Sequence, residues 1–424
     1  MTLATWIFSA ASGIVALIGW WGLAEMAALM WPPYGAILLA AATGTLAWLG
    51  RAAVPSPDEP AAGPAGSFAY SWALAMAAGA ALLISVASVH SIDLPHGDWD
   101  AWSIWNLRAK FLADPGSWRH AVSPLAFRSH PDYPLLTSAV AAGLSRFNAS
   151  PAILGSIFFA AVPAVLISTL ALLRGAAAGW LAALIFAASA GYLTQAPSQY
   201  ADIPLSAFIL CALASLWQPK HPCMLFGAGL FAGCAAFTKN EGIVFAMALI
   251  AASAMAWRAA FFPLLCGALP GLAVTAWFKL FYAPPSEYAG QSAAKLFDLT
   301  RWTAILGEFV KELWNLGIGA GHPILIMAVL AFGLRFRPLT RLWKITAAII
   351  GSQLLGYFGA YLLTPADLSW QLSTSMNRLL AQVWPALLLL FFIALKPPES
   401  PPGNSEKPTP PAKPAGSRGR RRDG

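Results

Sequence analysis

Charge is what this sequence most lacks. Only 10% of its 424 residues are Asp, Glu, Lys or Arg, where a soluble domain carries about 25%. That excludes a fold solvated by water on every side. Cysteine is scarce too. The four, Cys211, Cys223, Cys234 and Cys266, have spacings that fit no metal motif. Three lie in apolar runs and one beside such a run, so all four are expected as small core residues. No run alternates apolar and polar residues, which argues against a β-barrel. No Gly-rich phosphate loop follows a strand, so nothing supports a nucleotide-sugar substrate. No internal repeat is visible. The opening segment has no basic n-region and no convincing cleavage site, and reads as a retained first span.

What is present is apolar length. Hydrophobic residues make up 58% of the chain. Stretches such as 151–173 and 345–363 are long enough to cross a ~30 Å hydrocarbon core as helices, which satisfy their own backbones. The expectation is an all-α polytopic membrane protein of about twelve spans. They fall near 4–29, 33–50, 67–89, 151–173, 177–194, 203–217, 223–238, 242–257, 260–281, 322–334, 345–363 and 379–395. The chain then divides into N-terminal spans in 1–89, a long loop 90–150, a core 151–281, a second loop 282–321, C-terminal spans in 322–396 and a tail 397–424. The tail is Pro-rich and basic, and is expected to be disordered.

Basic residues set the orientation. Of the 26 Lys and Arg, 15 fall in one set of loops, including Arg51, Arg174, Lys220, Arg258, Arg335–Lys344 and the tail. Both termini are therefore expected in the cytoplasm of a multi-pass inner (plasma) membrane protein. The loops 90–150 and 282–321 are then extracytoplasmic, and 12 of the 18 acidic residues join them. The net charge of +8 concentrates at cytoplasmic edges, which suits anionic lipid headgroups rather than nucleic acid.

The segment from His90 to Lys110 is the most informative. Gly97 breaks the chain and Asp98 can cap a helix starting near Trp99. Trp99, Trp102, Trp105, Ala109 and Leu112 then share a stripe, which predicts a helix lying on the outer surface. Asp98 and Asp100 would stand at its start, as a cap plus a solvated charge or as a pair for acid–base work. Next comes His130-Pro-Asp132-Tyr133-Pro134, leading into a stretch 135–147 too short for a span and expected as a second interfacial helix. His130 and Asp132 also suit plain turn chemistry. Three further polar clusters fall at outer span ends: Gln199-Tyr200-Ala-Asp202, Lys239-Asn240-Glu241-Gly242 and Trp370–Arg378. Lys239 and Glu241 could pair with each other. In 282–321, a helix near 302–316 is expected at the interface.

At these residues the chain resembles the GT-C class of membrane glycosyltransferases, nearest to bacterial relatives of the protein-mannosyltransferase and aminoarabinose-transferase group. Gly-Asp98-Trp-Asp100-Ala-Trp is similar to the family's acidic first outer loop. His130-Pro-Asp-Tyr-Pro-Leu-Leu is similar to its His-Pro-Pro-Leu-Tyr element. Tyr200-Ala-Asp202-Ile-Pro-Leu and Thr238-Lys239-Asn-Glu241-Gly242 are similar to its later outer-edge elements. Two features depart from the pattern: the acidic loop comes after the third expected span instead of the first, and Asp132 replaces a proline. The resemblance implies a GT-C-like bundle, a polyprenyl-phosphate sugar donor, a lipid, glycan or protein acceptor, and inversion at the anomeric carbon. It implies Asp98 or Asp100 as base. Arg108, Lys110, Lys239 and Arg378 are the candidates for the donor phosphate, by chemistry. His130, Asp132, Tyr133, Tyr200, Asp202 and Glu241 are candidates for substrate binding. Members of this class differ in whether they use a divalent metal (Mg or Mn), so metal use stays open and no other cofactor is implied. A twelve-helix secondary transporter is the main alternative; it expects repeat-related broken helices with ionisable residues at mid-membrane. A glycan ligase or polymerase would expect Arg and His in a large late loop, where 282–321 offers only Lys295, Arg301 and Lys311.

Overall fold

A computed structural model describes residues 2–51, 94–187, 189, 195, 197–218, 223–316 and 338–395. The expected spans at 67–89 and 322–334, and the tail, lie outside these residues. Every element is helical. In order they are α1 (Leu3–Met30), α2 (Gly35–Leu49), a π-turn (Ala101–Trp105) running into α3 (Asn106–Ala113), and α4 (Leu136–Arg146). Then come α5 (Ala152–Arg174), α6 (Ala176–Ala187), α7 (Asp202–Leu216), α8 (Met224–Thr238), α9 (Asn240–Ala256) and α10 (Arg258–Phe281). Last are α11 (Leu299–Leu316), α12 (Arg341–Leu363) and α13 (Leu368–Ala394).

Five of these, α1, α5, α10, α12 and α13, are long and apolar enough to cross a membrane, and α2, α7, α8 and α9 are shorter apolar helices. Their outer faces are apolar as well. Leu17, Leu280 and Leu355 are 70–76% exposed, an arrangement that water penalises and a bilayer does not. Among the described residues observed and expected ends agree within a few residues, with one exception; the expected end of the span 177–194 lies outside them. α13 begins at Leu368 rather than 379, capped by the Asp367 carboxylate, which accepts the Trp370 N–H at 2.8 Å. The segment read as an outer loop is therefore the first turns of a helix, and Arg378 lies about 15 Å down it at 1.5 Å per residue.

The bundle is polar at one end. The N-terminus of α7, the α8–α9 junction, the C-terminus of α10 and the α12–α13 connection meet there, together with the 94–134 segment. Arg51, Arg174, Arg258, Arg341 and Lys344 mark the opposite end, where Arg174 Nη2 donates to Ile393 O at 2.7 Å and Trp343 Nε1 to Leu390 O at 3.0 Å.

Neither expected surface helix of the first loop simply lies on the bundle. The π-turn widens the helix at 101–105 and rotates α3 relative to the residues before the turn. The tryptophan stripe is thereby split: Trp99 and Trp102 are exposed and pack edge to face at 4.4 Å, while Trp105, Ala109 and Leu112 are buried. α4, expected at the interface, is buried from Leu136 to Gly143. Arg146 at its end binds Glu25 of α1 at 2.6 Å, and Gly143 admits the Trp21 ring. By contrast α11 has the expected amphipathic form, with Leu306, Val310 and Leu313 exposed and Ile305 and Leu316 buried. Lys295 and Arg301 donate to the carbonyls of Tyr361, Leu362 and Thr364 and so cap α12. Cys211, Cys234 and Cys266 are buried as expected. Cys223 is not: it is exposed, opening α8 at a left-handed φ of 69°.

The tightest packing joins α8 and α10. Gly229 and Gly233 on one helix face Gly267 and Gly271 on the other, each pair four residues apart. A Cβ at Gly229 would overlap Leu264 O, one at Gly267 would overlap Phe226 O, and one at Gly271 would overlap the Gly233 backbone. Small residues at this spacing let two backbones touch where lipid gives no hydrophobic drive to association. Gly271→Val should therefore cost at least about 1–3 kcal/mol, read as a lowered Tm in detergent. Gly351→Ala, where nothing lies within 4 Å, should leave Tm unchanged or raised.

Candidate functional site

The 94–100 segment is pinned before it reaches the bundle. Gly97 has φ 73°, and a Cβ there would press on Ser198 O and Ala101, so only glycine suits the bend. The Asp98 N–H donates to Ser198 O at 3.1 Å. Asn106 Nδ2 donates to His96 O at 3.2 Å and to Gln199 Oε1 at 2.8 Å, and Gln199 Nε2 donates back to Leu94 O and Pro95 O. The result fixes two carboxylates in different surroundings. Asp98 is exposed; its Oδ1 accepts the adjacent Trp99 N–H at 2.7 Å and it has no cation partner among the described residues. Asp100 is half-buried, and its Oδ2 meets Arg378 Nη2 at 2.7 Å.

Arg378 leads inward. Its guanidinium lies 4.5 Å over the Tyr200 ring, and its Nε stands 3.5 Å from Asp202 Oδ2. Asp202 is fully buried. Lys239 Nζ donates to its Oδ1 at 2.9 Å and sits 3.1 Å from Glu241 Oε1. Gln382 Nε2 also donates to Asp202 Oδ1, and Tyr357 OH donates to Gln382 Oε1 at 2.6 Å. Glu241 thus pairs with Lys239, as the plainer sequence reading held, but Lys239 bridges it to a second, deeper acid.

A neighbouring cluster is built on Asp132. Its Oδ2 accepts from Asn240 Nδ2 at 3.1 Å, and Lys279 Nζ donates to Asp132 O and to Asn240 Oδ1 at 2.7 Å. Asn240 stands between Lys239 and Glu241 in the chain, so the two clusters share one tripeptide. His130, at φ 45°, stacks on Tyr133 at 4.7 Å and places Nδ1 3.6 Å from Glu287 Oε1. Trp105, Tyr133 and Tyr200 form an aromatic wall here. Burial raises the Tyr133 hydroxyl well above its ordinary range and pushes Tyr200 up to about 12, so both are neutral hydrogen-bonding groups at neutral pH. Behind the wall lies a void of about 10 Å³ bordered by Trp105, Asn106, Gln199 and Tyr200, room for roughly one water.

Ten of the twelve sequence-derived site residues come together: Asp98, Asp100, His130, Asp132, Tyr133, Tyr200, Asp202, Lys239, Glu241 and Arg378. Two do not act as expected. Arg108 is buried, and its guanidinium donates to the carbonyls of Ala121, His130, Pro131 and Tyr133, the last at 2.6 Å. It is a backbone clamp, with its pKa lowered to about 9 by burial, and it has no open face for a phosphate. Lys110 is exposed on α3 and bonds to none of the cluster. The sequence reading misses Lys279, Tyr357, Gln382 and Gln353, whose Nε2 donates to Glu241 O at 3.0 Å, although polar residues inside apolar runs are a usable signal. Among the described residues no three His, Cys, Asp or Glu side chains stand together as metal ligands; Asp100, Asp132, Asp202 and Glu241 each face a Lys or Arg.

Arg108→Met should strip four carbonyls of their donor, at about 1–3 kcal/mol for each buried group left unpaired. The expected result is a large drop in Tm. A variant with unchanged Tm would mean that the clamp is not structural. The chain matches no protein-family model, no curated protein and no solved structure, so the likeness of its motifs to a family rests on those motifs alone.

Proposed function

We propose that the chain is an integral membrane glycosyltransferase, moving a sugar from a polyprenyl-phosphate donor to a lipid, glycan or protein acceptor. One observation carries the reading. Carboxylates and cations from five separated segments, around Asp100, Asp132, Asp202, Lys239–Glu241 and Arg378, meet at one end of an apolar bundle. Ionisable groups at such depth are costly unless paired or functional, and one acid at the rim, Asp98, has no cation partner among the described residues.

The chemistry divides by surroundings. Asp98 takes the proton from the acceptor hydroxyl, whose oxygen attacks the anomeric carbon with inversion. The bond from that carbon to the phosphate oxygen breaks, and the phosphate leaves with the electron pair. Arg378 stabilises its growing charge, with Lys239 acting from behind the two acids it already binds, Asp202 and Glu241. Arg378 gives Nη2 to Asp100 and turns Nε toward Asp202. Arrival of the donor then exchanges the Asp100–Arg378 pair for a phosphate contact. Inner-membrane location, about twelve spans and cytoplasmic termini belong to this proposal. The orientation is supported by the gathering of Arg51, Arg174, Arg258, Arg341 and Lys344 at the end remote from the acids.

A twelve-helix secondary transporter is the second reading. The observation favouring it is the buried chain Tyr357–Gln382–Asp202–Lys239 between helices, since intramembrane polar chains also mark transport pathways. Membranes given a radiolabelled polyprenyl-phosphate sugar separate the two. Wild type should label an acceptor, and Asp98→Asn should cut transfer about 100-fold or more with insertion intact. Asp100→Asn should cut it less, because its effect passes through Arg378. Equal labelling by wild type and Asp98→Asn would reject the base, while uptake into vesicles without transfer would favour the transporter.

A further inference from the structure

On the far side of α10 from the Lys279 side chain lies an open cleft of about 440 Å³, lined by Arg119, Val122, Trp277, Phe281 and Tyr282. It sits where two span-length helices end. α1 stops at Met30 and α10 at Phe281, and Tyr282 OH donates to Met30 O at 3.4 Å, tying the two ends together. Aromatic rings collect here. Trp31 meets Trp277 at 5.6 Å, Trp277 meets Phe281 at 4.3 Å, and Trp118 meets Tyr282 at 4.9 Å. Tryptophan and tyrosine at the ends of spanning helices mark the headgroup level of a bilayer.

One charge stands in this ring. Arg119 is exposed, and its guanidinium lies 5.9 Å over both Trp118 and Tyr282. It has no acidic partner among the described residues. The rings hold the guanidinium in place without neutralising it, and its fork of N–H donors suits phosphate oxygens. We infer that the cleft binds the phosphate headgroup of an anionic glycerophospholipid, with the acyl chains running along the apolar outer face of α10, where Leu280 and Phe281 are exposed. The lipid would fasten the 118–122 turn to the ends of α1 and α10. The inference rests on the membrane-embedded reading and is independent of the transfer chemistry.

The test is native mass spectrometry of the detergent-purified chain, titrated with phosphatidylglycerol. Wild type should retain one phosphatidylglycerol in preference to phosphatidylcholine. Arg119→Gln should raise its apparent Kd about five- to tenfold, and Arg119→Lys should recover part of the loss. Phe281→Glu changes an exposed residue and places a negative charge in the cleft. It should weaken binding at least as much, which keeps the test standing if Arg119→Gln folds poorly. Equal phosphatidylglycerol binding by wild type and both variants would overturn the site. Displacement of the lipid by inorganic phosphate at equal concentration would reduce it to a free-anion site and overturn the lipid assignment. Preferential capture of an isoprenyl phosphate would overturn the glycerophospholipid as occupant. None of these readings depends on sugar transfer, so a failed transferase assay leaves this result separate.

Discussion

Asp202 is a carboxylate with no access to water, and the polar end of the bundle is arranged around that fact. A lone buried charge is unstable by several kcal/mol. Asp202 is tolerated because Lys239 reaches it from the α8–α9 junction, Arg378 from α13, and Gln382 from one turn below. Three separately threaded helices are thus obliged to present polar groups at one depth. Arg378 continues to Asp100 and Lys239 to Glu241, so the buried charge also fixes residues that face the opening. Asn240 then carries the same constraint to Asp132 and Lys279.

This arrangement gives the acids unequal surroundings, which is what a two-role site needs. Asp100 and Asp202 are held by cations, and Glu241 by Lys239. Among the described residues, Asp98 is held by its own backbone turn and by the hydrogen bonds that pin Gly97 and Gln199. On the proposed reading, the group that accepts a proton and the group that orients a cation are thereby separated within one short segment. The tight α8–α10 contact supports this from below: backbones brought together at Gly229, Gly233, Gly267 and Gly271 set where Lys239 and Lys279 emerge.

Much of the site was legible because charge is so rare here. In a chain with so few ionisable residues, clusters such as Tyr200–Asp202 and Lys239–Glu241 stand out at the ends of apolar runs, and their cost in a bilayer marks them. The depth of Arg378 was not legible. The run Trp370–Asn377 mixes polar and apolar residues, and only the Asp367 cap shows that it is already helix. Arg108 looked like a phosphate ligand because a sequence shows a charge but not the four carbonyls turned toward it. The tryptophan stripe was read with one period, and the π-turn at 101–105 changed that period midway. The length of 135–147 suits a buried helix as well as an interfacial one, and only the composition of Leu136–Gly143, apolar or small on every side, favours burial. The motifs that carry the resemblance name residues that the fold gathers at one end of the bundle. They do not separate Asp98 from Asp100, which takes the geometry of Arg378.

The central claim is that Asp202 and Lys239 are mutually dependent buried charges. A double-mutant cycle of Asp202→Asn and Lys239→Met, read by thermal and denaturant unfolding in detergent, tests it most directly. Each single change should destabilise the chain by about 3–5 kcal/mol by removing the nearest partner of a buried charge. The double variant should lose about 2–3 kcal/mol less than the sum of the two single losses. Strictly additive losses would show that the two charges do not depend on each other, and that this end of the bundle is held in some other way.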